Sequence, residues 1–437
     1  MSETKIVQGE MCFAEGELSI PEANTHGATD FRRVLPDLKG AIVMKLAERT
    51  RHVAQSYTIG ISMKAREMMA QGRDVLNLSV GEPDFKVPER AKHAAVQALE
   101  LDLTKYDKVP GVLELRQEIC RKLKEENNLD YEPDQIVVSN GAKQAIMNTL
   151  LAVTDPGDEV LMPVPYWTSY PEIVKLCGGV PVFAMPADRE TYKITPADLE
   201  KALTDKTKIL IFNNPSNPAG TVYNEEEVRA IGQFCLEKGI WLLSDEIYEK
   251  FCFVDPCFSV AATSPEVKDI TILVNGLSKS VAMTGLRVGY TASNRKIASA
   301  ISKMQGHLTS HTSTLSQWVG RDALKYCGEE IEAQIHIYQK RREALLRKLQ
   351  TLPDVTWLEP DGAFYVMVNF GAYKDKIEYE ESFSVALCRR ILEEAEVAIV
   401  PGIAFGLDDY ARIAYVQEEK RLEEGLERIE KFLRSLK

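Results

Sequence analysis

The stretch NGLSKSVAMTGLRVGY (275–290) sets Lys279 among small residues just past an apolar run and places Arg287 eight positions later. An amine held away from bulk water there loses proton affinity and becomes nucleophilic toward an aldehyde, which is Schiff-base chemistry. Arg287 offers a planar fork that grips phosphate through two parallel hydrogen bonds, and Gly285 and Gly289 let the backbone come close. Each residue alone also reads as ordinary surface, since a lysine after a strand is commonly solvated and a lone arginine commonly makes an exposed ion pair.

Other stretches supply partners for that chemistry. In SNGAKQ (139–144), Gly141 and Ala142 open a helix after a strand, and Lys143 follows; free N–H groups and the helix dipole attract an anion at such a turn. LLSDEIYEKF puts Asp245 at the end of a buried strand, where a carboxylate needs a positive partner such as a protonated pyridine nitrogen. Tyr248 follows on the same side if a helical turn begins there; capping by Asp245 and packing by Tyr248 are the plainer alternatives. NNPSNPAG (213–220) is a rigid turn holding Asn217 between constrained positions. His307 and His311 stand four apart, a metal-like spacing, with no nearby carboxylate or third ligand.

These residues must be carried by an alternating framework. QIVVSN, EVLMPVP, VPVFAM, TKILIFN, IWLLSD, ITILVN and RVGYTA read as short apolar strands separated by turns and amphipathic helices, of which 225–239 is one. Such alternation implies a mostly parallel sheet covered on both faces, with ligands beyond the strands' carboxyl ends. After residue 325 the texture changes to a long charged helix, strands in VTWLEP and AFYVMVNF, a helix at 381–395, strands in AIVP and ARIAY, and a last helix. The expected division is an N-terminal arm (1–40), a large α/β domain (86–325), and a smaller α+β domain built from 41–85 and 326–437.

Composition narrows the ligand. A formal charge of −12 without a basic cluster argues against nucleic acid, and no apolar run reaches the roughly 18 residues of a membrane span. The eight cysteines show neither a CxxC pair nor zinc-site spacing and read as reduced, cytosolic thiols, so a cytoplasmic protein acting on small molecules is expected. The N-terminus lacks a basic start followed by an apolar stretch.

The set of lysine, arginine, phosphate turn, aspartate and double Asn-Pro turn resembles the fold type I pyridoxal-phosphate enzymes, and more closely the class I aminotransferases of the aspartate/prephenate subgroup. GLSKSVAMTGLRVG matches the lysine-attachment signature, and GEPDF, TKYDKVPGVLELR, SNPAGTVY, SDEIY, PDGAFYV and VPGIAFG follow in the family's order, over about residues 48 to 435. The resemblance implies a seven-stranded large domain and a smaller α+β domain. It implies that Lys279 holds the pyridoxal 5'-phosphate aldehyde as an imine and moves the substrate's α-proton, that Arg287 and the turn at Gly141 and Ala142 hold the phosphate, and that Asp245 keeps the pyridine nitrogen protonated. Asn217 and Tyr248 would bond the ring oxygen, and Trp167 would stack on the ring or simply fill the core. Tyr106 would reach the phosphate in a neighbouring subunit, making the enzyme a homodimer with shared sites.

Arg412 would clamp the α-carboxylate, with Gly81 and Asn217 completing that pocket; Ala414 stands where the family usually has serine. Lys143 resembles the lysine that meets the distal carboxylate of dicarboxylic substrates in one subgroup. The implied reaction is transfer of an amino group from aspartate or a related amino acid to 2-oxoglutarate. Aromatic, alanine or prephenate-type transamination, or a C–S β-lyase reaction, are the alternatives. A binding protein on a degenerate scaffold is disfavoured by the intact lysine, aspartate and arginine set.

Overall fold

The computed structural model describes residues 45–54, 57–254, 256–380 and 382–436, so the expected N-terminal arm lies outside the described residues. Seven strands form the large sheet: β1 (Ile136–Asn140), β2 (Glu159–Pro163), β3 (Val180–Ala184), β4 (Thr207–Asn213), β5 (Trp241–Asp245), β6 (Thr271–Gly276) and β7 (Val288–Ala292). Their order is β1-β7-β6-β5-β4-β2-β3, all parallel except β7, which runs antiparallel to both neighbours. All seven expected strands are present.

The reason for their unbroken apolar runs is visible in the packing. Side chains alternate between faces, so Ile209 and Ile211 of β4 join one buried cluster while Leu210 and Phe212 join another. Both faces are covered, and neither can be polar. β6 is buried along its whole length, which fixes Lys279 just beyond a strand that has no freedom to shift.

Six helices matter for the site and its supports: α1 (Tyr57–Ala70), α2 (Ala142–Val153), α3 (Glu225–Lys238), α4 (Gly328–Leu349), α5 (Phe383–Ala395) and α6 (Glu419–Ser435). α3 begins at a reciprocal cap, with Asn224 Oδ1 accepting from the Glu227 amide at 2.9 Å and Glu227 Oε2 accepting from the Asn224 amide at 2.8 Å. It ends where Gly239 turns left-handed at φ 66°. α5 starts at Phe383, two residues later than expected, because Ser382 accepts from the Val385 amide at 3.2 Å and caps it there.

After α4 a second, antiparallel sheet forms from β8 (Thr356–Trp357), β9 (Tyr365–Asn369), β10 (Val400–Pro401) and β11 (Tyr410–Ala414), ordered β10-β11-β9-β8. Two expected strands come out differently. VTWLEP pairs over only two residues, and AIVP is divided: Val397–Ala398 pairs in parallel with Leu76–Asn77, while Val400–Pro401 pairs with β11. The first pairing ties the segment before residue 85 to the C-terminal part of the chain. Glu48–Lys437 forms one compact unit. Ile247, Tyr248 and Phe251, which follow β5, pack in the same cluster as Tyr338, Phe364 and Tyr365. The ends of the central strands thereby meet the second sheet, and the cavity lies at that seam.

Candidate active site

A cavity of about 560 Å³ opens beyond the carboxyl ends of β4, β5 and β6. That is the size range of cofactor sites. Lys279, Asp245, Tyr248, Asn217, Trp167, Ala142, Lys143, Arg287, Gly81 and Arg412 all line it, so the structure gathers residues that lie far apart in the chain.

The reactive amine comes first. β6 passes into a one-turn helix, Leu277–Ser280, and Lys279 Nζ donates to the Gly81 carbonyl at 2.5 Å. The amine is pulled down to about 8, chiefly by removal from water and next by the Arg412 charge, while Glu82 pulls the other way. Among the described residues no carboxylate forms an ion pair with it, so no such partner fixes the amine in its protonated form. Gly81 must be glycine, because a Cβ there would run into the Tyr365 hydroxyl.

Asp245 ends β5 almost fully buried. It accepts from the Tyr170 hydroxyl at 2.6 Å and from the Ile247 amide at 3.3 Å. Burial pushes its carboxyl up to about 6 despite those bonds. A carboxylate so placed gains most from a cation brought in by a ligand, which is what a protonated pyridine nitrogen supplies. Tyr248 follows in a turn, and its hydroxyl lies 2.8 Å from that of Tyr365.

Arg412, in β11, is buried at 3 % exposure. Nη1 donates to Asn217 Oδ1 at 3.1 Å and Nη2 to the Ser79 carbonyl at 2.8 Å, and the guanidinium lies 4.3 Å from the centre of the Tyr365 ring. Nε is buried with no hydrogen-bond partner, and no carboxylate pairs with the guanidinium among the described residues. Such a cation is costly unless an anion arrives. Asn217 is itself fixed by its amide, which donates to Asn213 Oδ1 at 2.7 Å.

The anion cradle is built from two turns pressed together. Gly141 has φ 81° and opens α2, leaving the amides of Ala142 and Lys143 in the first turn. Arg287, itself left-handed at φ 56°, donates to the Thr284 carbonyl at 2.8 Å and the Asn140 carbonyl at 3.3 Å. A Cβ on Gly141 would strike the Arg287 guanidinium, and one on Gly289 would strike the Ala142 amide nitrogen. Lys143 Nζ lies 5.0 Å from the Trp167 ring centre, and burial followed by the Arg287 charge lowers its proton affinity. Trp167 stands edge-on to Tyr170, ring centres 5.3 Å apart.

Tyr106 and the two histidines singled out by their spacing lie outside this cavity. Tyr106 is 92 % exposed and does not line the cavity of its own chain. The metal-like histidine spacing fails because the helix Arg295–Leu308 ends before His311. The His311 ring instead accepts from the Asp107 amide at 3.3 Å through Nε2 and sits 2.7 Å from the Thr312 carbonyl through Nδ1. No cluster of three metal-ligating side chains exists among the described residues. Sequence reasoning also missed contributors. Tyr170 lies in the block that holds Trp167, and Tyr365 in PDGAFYV, but neither type nor spacing marked them as partners of Asp245 and Tyr248. Thr58, Ser62 and Arg66 enter from one face of α1, which carries no motif.

An amine, a carboxylate with raised proton affinity, and an anion cradle with a facing arginine form a donor set that fits pyridoxal 5'-phosphate. Comparison with known proteins gives the same result. The family model for aminotransferase class I and II matches residues 73–429. The chain is 41 % identical over 392 residues to an aspartate aminotransferase of Bacillus sp. (strain YM-2), covering 89 % of this chain and 99 % of that one. It is 40 % identical over 394 residues to a probable aspartate/prephenate aminotransferase of Aquifex aeolicus (strain VF5), covering 90 % and 99 %. Among solved structures, the aspartate aminotransferase from Thermus thermophilus with maleate superimposes with a TM-score of 0.84 at 35 % identity, covering 89 % of this chain and 99 % of that one. The chain belongs to the class I and II aminotransferases, fold type I enzymes that use pyridoxal 5'-phosphate.

Proposed function

We propose that this enzyme moves the amino group of aspartate, or a closely related amino acid, to 2-oxoglutarate. The observation that carries the reading is the pairing of two cations in one cavity: Arg412 with an unpartnered buried Nε, and Lys143 on the opposite turn. A dicarboxylic substrate has one carboxylate for each. Its relatives' names point the same way.

Bound pyridoxal phosphate supplies an electron sink for the charge left when the α-proton departs. Lys279 would hold the cofactor aldehyde, and its amine, acting in turn as base and acid, would take the proton from the substrate α-carbon and deliver one; an amine whose pKa lies near 8 suits both tasks. Asp245, oriented by Tyr170, would keep the pyridine nitrogen protonated. Tyr248 and Asn217 would hold the ring oxygen, and Trp167 would pack against the ring. Arg287, with the amides of Ala142 and Lys143 beyond Gly141, retains the phosphate, while Arg412, Asn217 and Gly81 orient the α-carboxylate. Tyr106 serves the partner's site in a homodimer, consistent with its exposure on its own chain. The pairing of Leu76–Asn77 with Val397–Ala398 supports a small domain from 41–85 and 326–437 against a large one at 86–325. The cytoplasmic location is proposed from the eight scattered cysteines, read as reduced thiols; among the described residues no helix is long and apolar enough to cross a membrane.

Prephenate is the second substrate reading, favoured by relatives named aspartate/prephenate aminotransferase. The test is a panel of half-reactions followed by the cofactor's absorbance. Aspartate and glutamate should each convert the aldehyde form to the amine form, and prephenate, an oxo acid, should convert the amine form back to the aldehyde form if the second reading holds. No conversion by either dicarboxylic amino acid removes the proposal.

A further inference from the structure

Three contacts converge on the His311 ring. The Asp107 amide can only donate, so Nε2, 3.3 Å away, is the acceptor. The ring proton therefore sits on Nδ1, which donates to the Thr312 carbonyl at 2.7 Å. The imidazole is thus neutral and held from both sides. Tyr106 stands edge-on to it, with ring centres 5.7 Å apart and planes at 89°.

The support beneath this ring is buried and fully bonded. The Thr312 carbonyl also accepts from Gln317 Nε2 at 2.7 Å, and Gln317 Oε1 accepts from the Val112 amide at 2.8 Å. Gln305 Nε2 donates to the Val109 carbonyl at 2.9 Å. Those bonds fix the chain beyond Lys108, and the bond to His311 carries the hold back to Asp107, next to Tyr106. Tyr106 is 92 % exposed, so little of its own chain packs around the phenol. A side chain that free loses rotamer entropy when it binds an anion, and holding it in place beforehand removes that cost.

We propose that His311 is a positioning residue for Tyr106: its ring and its bond to Asp107 hold the phenol where it can meet the cofactor phosphate of a partner subunit. The inference rests on the reading that Tyr106 serves the partner's site. It gives His311 a task that its four-residue spacing from His307 does not suggest, and it needs the neutral ring, because a doubly protonated one has no acceptor for the Asp107 amide.

The test measures the Kd for pyridoxal phosphate in a double-mutant cycle on the full chain. Tyr106→Phe should raise Kd about tenfold or more, as loss of a hydrogen bond to a charged group does. His311→Ala should raise it about 2- to 12-fold, the worth of one net hydrogen bond, and His311→Gln, which restores an acceptor, should regain part of the loss. In a Tyr106→Phe background His311→Ala should add nothing, since the hydroxyl it positions is gone; a purely structural role would add the same loss in both backgrounds. Should His311→Ala not fold, His311→Phe, which keeps a ring and loses the acceptor, takes its place in the cycle. Native affinity in Tyr106→Phe overturns the Tyr106 reading and this inference with it. A weakened Tyr106→Phe beside an unaffected His311→Ala, or equal losses in both backgrounds, overturns the inference alone.

Discussion

Lys279 sits among small neighbours just beyond a strand that is buried along its whole length. Its depressed pKa comes from burial and from Arg412, which lies more than a hundred residues away and enters only through the fold. The sign gives a test. An amine titrating near 8 is mostly protonated below that pH, so the rate at which apoenzyme takes up pyridoxal phosphate should rise about tenfold per pH unit up to 8 and level off above. A flat profile from pH 6 to 9 would show that the amine is not held in this state. Arg412 makes a second test: Arg412→Lys keeps the charge but loses the planar fork, so kcat/KM for aspartate should fall about 10- to 100-fold, mostly through KM, with cofactor absorbance retained. Lys279 was legible in the sequence from its small neighbours and its place after an apolar strand, whereas Tyr170 and Tyr365 were not: a tyrosine among apolar residues reads as core, and only the tertiary meeting with Asp245 and Tyr248 gives each hydroxyl a task.

At the scale of elements, strands were readable and their junctions were not. β4, β5 and β6 are covered on both faces and carry continuous apolar runs, so their positions follow from pattern alone. VTWLEP and AIVP form strands, but shorter or divided ones, because short edge segments take their pairing from whatever lies beside them, here β9, β11 and Leu76–Asn77. The anion cradle is a junction of this kind, where β7 crosses the start of α2 with no room for a side chain on Gly289. Gly289→Ala should therefore destabilise the protein by about 1–3 kcal/mol in urea titration and weaken pyridoxal phosphate binding together. Loss of stability with unchanged cofactor affinity would separate the packing of that junction from the cradle.

For the whole molecule the informative residue is Tyr106, exposed on its own chain and proposed to serve the site of a partner subunit. If it acts across a dimer, two inactive variants should rescue each other. Mixing Lys279→Ala with Tyr106→Ala subunits places an intact Lys279 opposite an intact Tyr106 in each mixed dimer, and about half of the sites in those dimers should recover full activity. Recovery of none would place Tyr106 in the site of its own chain or outside it. The account as a whole rests on Lys279 holding the cofactor covalently, and borohydride reduction of the native holoenzyme followed by peptide mass spectrometry tests that most directly. One pyridoxyl phosphate group per chain, on Lys279 and lost when aspartate is added before reduction, is the predicted result. A reduced adduct on Lys143 or another lysine, or none at all in protein that carries the cofactor, would contradict it.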